Sequence, residues 1–274
     1  CSYRSNRYNV HNLTVIANAM SESDIKPLFE PRGEPMSVAV LLSGSGTNFV
    51  AIAEEERRLA RSGEKLYGRT DAVFTNAPGC EGAKKAAEYG MPVLSIGSKK
   101  YFEVLGKSPE DEEMRDYYDA AAIALIESVC TPDIIVLAGY RRRLGRAFIE
   151  RYSGRILNLY PGDITKDYLV RGADACVQAL QAGEDSLRCT VYLERFGERF
   201  GTALVQSPPV SLAGFTEADK DAMGAKIRQE AEWKAFPFAV HELAARGRVG
   251  IDKDGALYVD GKRLGPAGYA MERA

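Results

Sequence analysis

The sequence predicts an α/β protein whose mixed, mostly parallel sheet is covered by helices on both faces. Three observations predict it. Runs of about five aliphatic or β-branched residues recur between helical patterns. Those runs are apolar throughout instead of alternating, as strands buried on both faces are. Glycine-rich and arginine-rich turns follow the strands, where an open α/β sheet places its ligands.

Taken in order, "PRGEP" (31–35) is a breaker-rich stretch that closes an N-terminal extension, residues 1–36. Residues 37–274 then form one domain. Val38–Leu42 reads as a strand and Asn48–Arg61 as a helix with a charged outer face. Asp71–Thr75 is a strand, Glu81–Tyr89 a helix and Pro92–Ile96 a strand. Asp111–Cys130 is an alanine-rich helix, and Asp133–Leu137 ("DIIVL") a fully buried strand. Gly145–Tyr152 gives a helix and Arg155–Leu159 the next strand. After residue 162 the rhythm changes. Ala173–Ala182 is helical, and "LRCTVYLERF" and "GTALVQSPPV" form two antiparallel strands. "TEAD" (216–219) is a capping box opening a long amphipathic helix to about Arg246. "GRVGIDKDGALYVDGKRL" is a hairpin around Lys253, Asp254 and Gly255.

With 274 residues the chain can bury a sizeable core, and its net charge of −2 gives no bias toward nucleic acid or an anionic membrane. Cys1, Cys80, Cys130, Cys176 and Cys189 are scattered without a C-x-x-C pair, which reads as reduced thiols and no zinc site. No signal-peptide pattern or membrane-length apolar run is present, so the expected location is cytoplasmic. "NLT" (12–14) matches a glycosylation acceptor that such a location leaves unused.

Three stretches carry chemistry. "LLSGSGTNF" (41–49) is a Gly-rich turn ahead of a helix, suited to an anion such as phosphate, but it is neither a dinucleotide fingerprint nor a Walker A loop. "LAGYRRRLG" (137–145) sets three arginines after the buried strand. "RILNLYPGDITK" (155–166) puts Asn158 inside an apolar run and Tyr160 at its end.

Order and spacing of these stretches, together with "DAVFTNAPGCEGAKKAAEYGMPV", "VQALQAGEDSLRCTVYLERFGERFGTALVQSPPV" and "IRQEAEWKAFPFAVHEL", resemble the glycinamide ribonucleotide formyltransferase family over roughly residues 37–260. The resemblance implies a Rossmann-like three-layer sandwich and a purine-biosynthetic enzyme. Such an enzyme passes a one-carbon (formyl) group from 10-formyltetrahydrofolate, without a metal, to an amine of a small phosphorylated substrate. It implies that Gly46, Thr47, Asn48, Gln229 and Glu232 hold the ribose phosphate. It implies that the loop Tyr140, Arg141, Arg142, Arg143, Leu144 meets the folate, with Arg141 and Arg143 replacing apolar residues. The family's Asn-x-His-Pro-Ser motif becomes Asn158, Tyr160 and Gly162, and its downstream Asp position is occupied by Arg199. Asn158, Tyr160 and Arg199 are therefore the expected catalytic set, with Glu198, Asp163 and Glu194 as candidate bases. Neither histidine, His11 or His241, substitutes for the missing one. Two other readings stay open: a hydrolase or transferase with another donor, and a nucleotide-phosphate-binding protein without catalysis. Neither nucleic acid nor a membrane is an expected partner, and a homodimer stays open.

Overall fold

The computed structural model describes residues 25–168 and 174–272. His11, Cys1, the acceptor sequence at 12–14 and the start of the helix expected at Ala173 lie outside them. The centre is an eight-stranded sheet. Its strands are β1 (Met36–Leu42), β2 (Gly68–Thr75), β3 (Val93–Ser95), β4 (Ile134–Leu137), β5 (Ile156–Tyr160), β6 (Thr190–Leu193), β7 (Thr202–Gln206) and β8 (Tyr269–Ala270). Across the sheet they run β3-β2-β1-β4-β5-β6-β7-β8. The first five are mutually parallel. β6 is antiparallel to both β5 and β7, and β8 is parallel to β7. The sheet is mixed and mostly parallel, as the sequence predicts.

The helices are α1 (Thr47–Ser62), α2 (Glu81–Glu88), α3 (Ser98–Leu105), α4 (Glu112–Glu127), α5 (Arg146–Arg151) and α6 (Ala175–Gln181). A seventh, α7, begins as Lys220–Ile227 and stays helical to residue 244, with π turns at Arg228–Glu232 and Phe238–Ala244. Thr216 and Asp219 form the expected capping box just ahead of it. Helix α3 is an addition to the sequence reading, which assigns no element between Ile96 and Asp111.

Strand alternation divides the core in two. Val38, Val40 and Leu42 face α1 and α7 and pack with Phe49, Ile52, Phe236 and Val240. Ala39 and Leu41 face the other way and pack with Phe102, Tyr118, Ile126 and Phe148 from α3, α4 and α5. This is the physical content of the three-layer prediction. Residues 26–29 are joined to the same body. Lys26–Pro27 pairs with Val249–Ile251 of the C-terminal hairpin, and Leu28 and Phe29 are buried. Among the described residues no helix is long and apolar enough to cross a membrane.

His241 is a core residue, 2% exposed, as the expectation that it does not replace the missing catalytic histidine requires. Its Nε2 lies 3.8 Å from the Glu56 carboxylate, which accepts hydrogen bonds from the Thr70 N–H and hydroxyl. Burial pushes Glu56 up to about 7 and His241 down to about 4. Glu56 thus binds its proton more tightly in the folded chain, so stability falls as pH rises from the ordinary carboxyl range through about 7. His241 binds its proton less tightly when folded, so stability rises with pH from about 4 through the ordinary histidine range. The two slopes oppose one another. In urea unfolding across that range the contributions of this pair are expected to nearly cancel in the native chain. Glu56→Gln leaves the rising histidine slope, and His241→Gln leaves the falling glutamate slope, each roughly 3 kcal/mol across its window.

Candidate active site

Strand order reverses direction at β1, which lies between β2 and β4. At such a switch point the loops leaving neighbouring strands diverge and open a crevice at the carboxyl ends. Here the β1–α1 turn and the β4–α5 loop diverge in this way. The crevice is a cleft of about 990 Å³.

The turn after β1 is built on close backbone approach. Gly46 has φ +69°, and a Cβ there would lie 2.5 Å from the Gly82 Cα. The Gly82 N–H donates to the Gly44 carbonyl at 2.8 Å, drawing the head of α2 onto the turn. α1 starts at Thr47 with no side-chain cap and no acidic residue in its first turn. Its leading N–H groups and dipole therefore favour an anion. Ser43 fastens three loops together. Its hydroxyl donates to Asn76 Oδ1 after β2 and accepts the Arg141 N–H at 2.8 Å from the loop after β4.

Asn48 bridges to α7, where its Nδ2 donates to Glu232 Oε2 at 2.9 Å. Burial raises the Glu232 carboxyl above its usual range, opposed by the Asn48 bond and by the Arg228 charge. Asn48 Oδ1 is buried without a hydrogen-bond partner among the described residues. Arg228 and Glu232 both line the cleft. Gln229 does not; it is exposed on the outer side of α7. The π turn at Arg228–Glu232 is the reason: a wider turn brings i and i+4 into line and swings i+3 away. Arg228 is thus a cleft residue that the sequence reading misses, and its i,i+4 spacing from Glu232 is the signal that marks it.

The β4 loop also departs in detail from expectation. Leu144 is buried in the core beside Tyr118 and Phe148 and does not line the main cleft. Arg142 stacks its guanidinium over the rings of Tyr118 and Phe102, at 4.3 and 4.8 Å. Tyr140 reaches the cleft, yet its ring is buried against Phe74, and burial raises its hydroxyl well above the ordinary tyrosine value. Arg141 and Arg143 are the exposed members. Arg141 extends over the Gly-rich turn, with Nη2 3.5 Å from the point a Gly44 Cβ would occupy. The loop is pinned from below by α4: Asp119 accepts the Gly145 N–H and Asp116 the Ala147 N–H.

Asn158, Tyr160 and Arg199 all line this same cleft. Asn158 and Tyr160 share a face of β5. The Tyr160 ring lies 4.7 Å from that of Phe200, over which the exposed Arg199 guanidinium sits at 5.2 Å. The Asn158 amide is differently committed than the sequence suggests. Nδ2 donates to Tyr192 Oη at 2.9 Å and to Glu194 Oε1 at 2.5 Å, while Oδ1 accepts the Leu159 N–H. Flipping the amide would set its oxygen against a carboxylate, so the orientation is fixed. Of the candidate bases, Glu198 is exposed and 3.6 Å from Arg195. Asp163 caps its own turn through Thr165, accepts from the Gln206 amide on β7 and lies outside the cleft. Among the described residues no group of three or more His, Cys, Asp or Glu side chains is arranged to hold a metal ion.

Comparison with known proteins agrees with this geometry. The family profile described as formyl transferase matches residues 36–240. The chain is 29% identical over 237 residues to the phosphoribosylglycinamide formyltransferase of Escherichia coli (strain K12), covering 86% of this chain and 100% of that protein. It is 31% identical over 206 residues to the trifunctional purine biosynthetic protein adenosine-3 of Drosophila melanogaster, where 75% of this chain matches 14% of that longer relative. The solved phosphoribosylglycinamide formyltransferase of Coxiella burnetii superimposes with a TM-score of 0.69 at 26% identity, covering 87% of this chain and 100% of that one.

The Gly46–Gly82 approach carries a direct prediction. Gly46→Ala adds a positive-φ cost and a backbone clash, together about 2–4 kcal/mol by order of magnitude. Urea unfolding should show that loss, whereas Gly63→Ala, with φ +70° but open space around it, should lose only the conformational part.

Proposed function

The chain belongs to the formyl transferase family, and on that premise we propose that it transfers a formyl group from 10-formyltetrahydrofolate to an amine of a phosphoribosyl-type substrate. The observation that carries this reading is the join between the Gly-rich turn and α7. The uncapped start of α1, with Arg141 and Arg228 lining the same cleft, suits a phosphate. The Glu232 carboxyl and the unpaired Asn48 Oδ1 suit the donor hydroxyls of a ribose. The substrate class follows the names of the relatives from Escherichia coli and Coxiella burnetii.

The reacting end works differently from the family's His–Asp pair. As the amine adds to the formyl carbon, negative charge grows on the carbonyl oxygen. The Arg199 guanidinium supplies the positive charge that a protonated histidine would have given, and the Tyr160 hydroxyl supplies a donor. With no imidazole left to orient, an aspartate at position 199 would have no task, so the two replacements form one linked change. Arg143, exposed where the family carries an apolar residue, favours an anionic part of the donor.

Calorimetric titration tests the reading. A ribonucleotide 5′-phosphate and 10-formyltetrahydrofolate should each bind, and formylated amine should accumulate when both are present with the acceptor. Phosphate binding without folate binding or turnover would favour the non-catalytic reading, and turnover with another donor would favour the alternative transferase. Arg199→Ala is expected to lower kcat at least about tenfold while leaving phosphate affinity intact, as loss of one oxyanion donor does.

A further inference from the structure

With the family's histidine replaced, the attacking amine needs another proton acceptor, and the Glu194 carboxylate is bonded directly to Asn158 at the reacting end. We infer that Glu194, reached through the Tyr192 hydroxyl, takes the amine's proton. This rests on the formyl-transfer reading above.

Position argues first. β6 lies antiparallel to β5 with Tyr192 opposite Asn158, so Tyr192 and Glu194, one residue past the end of β6, both reach the asparagine. Glu194 Oε1 accepts from Asn158 Nδ2 at 2.5 Å and from Tyr192 Oη at 3.3 Å. Tyr192 lines the cleft, while Glu194 is 8% exposed and lines a small cavity of about 30 Å³ behind Asn158. The charged and titratable groups around that cavity are Tyr140, Arg142, Arg143, Arg195 and Glu198, three of them cations. Burying a carboxylate at this point is costly unless it is paired and hydrogen-bonded. The hydrogen bonds from Asn158 and Tyr192 offset that cost.

Charge argues second. A carboxylate that stayed ionised beside the oxyanion would oppose the charge forming there. Taking up the amine's proton neutralises Glu194 in the step in which the oxyanion appears. The same neutralisation loosens the Asn158 N–H···carboxylate bond and frees an amide hydrogen for the oxyanion, since bonds to ionised acceptors are the stronger kind.

The step balances. The amine lone pair adds to the formyl carbon and the C=O π pair moves onto oxygen. The proton shed by that nitrogen passes to Tyr192 Oη as the tyrosine's own proton moves to Glu194 Oε1. No tyrosinate forms, so the usual tyrosine value near about 10 is no obstacle. When the oxyanion re-forms C=O, the bond to the folate nitrogen breaks with its electron pair on that nitrogen. The proton returns there through Tyr192, and Glu194 ends as a carboxylate.

Glu194→Gln keeps the size and the acceptor oxygen but cannot take a proton. Relative to wild type, its kcat should fall about 100-fold or more, the scale of general base catalysis, with KM unchanged and the acid limb of the kcat–pH profile abolished. Tyr192→Phe should cause the same loss with Glu194 in place, and Glu194→Asp should restore part of the rate. Thermal unfolding of each variant separates a lost step from a lost fold. Wild-type kcat in either Glu194→Gln or Tyr192→Phe, or an acid limb that survives in Glu194→Gln, would overturn the inference. Wild-type enzyme that transfers no formyl group to any amine overturns the parent reading and this inference with it. Transfer that survives both substitutions overturns this inference alone.

Discussion

Because β1 lies between β2 and β4, the chain must leave its carboxyl end toward one side of the sheet while the chain leaving β4 turns to the other. Every part of the cleft depends on that divergence. It separates the Gly-rich turn from the arginine loop, and the two would drift without a tie. Ser43 supplies the tie by bonding at once to Asn76 and to the backbone of Arg141. Close approach of Gly46 and Gly82 then fixes how far α2 stands from the turn, and so where the first N–H groups of α1 point.

The second support comes from the other end of the chain. α7 delivers Glu232 to Asn48 and Arg228 to the cleft through a π turn. π turns are uncommon and are often found at functional sites. Here the wider turn keeps Arg228 in line with Glu232 and carries Gln229 away, and a regular helical pattern does not announce that second change. The Glu232 carboxyl sits high in its titration because burial outweighs the Asn48 bond and the Arg228 charge. Burying Glu232 therefore carries an electrostatic cost, which on the proposed reading a ribose hydroxyl relieves.

Layers, element types and turn chemistry were legible in the sequence because each rests on local rules. Apolar runs such as Ile134–Leu137, the Thr216–Asp219 box and the 249–259 hairpin are examples. The cleft's membership was legible too: Gly46, Asn48, Asn158, Tyr160, Arg199 and Glu232 converge. What failed was orientation. Gln229 follows the α-helical register that the π turn breaks. Leu144 turns inward because α4 holds the loop from below, and Arg142 is held by rings from α3 and α4. The Asn158 amide turns toward Glu194, 36 positions away in sequence, and no local pattern encodes that bond. Side-chain direction at a loop or strand tip is a tertiary property, so position survived where direction did not.

On the proposed reading the site keeps the phosphate-holding half of its family and carries a different set of charges at the reacting end. Glu194 bonds directly to Asn158, and Arg199 lines the same cleft. A crystal structure with a ribonucleotide 5′-phosphate bound tests this account most directly. The phosphate should rest on the N–H groups at the start of α1 between Arg141 and Arg228, the ribose hydroxyls on Glu232 and Asn48, and Gln229 should remain in solvent. A phosphate bound elsewhere, or one held by Gln229 with Arg228 turned away, would contradict it.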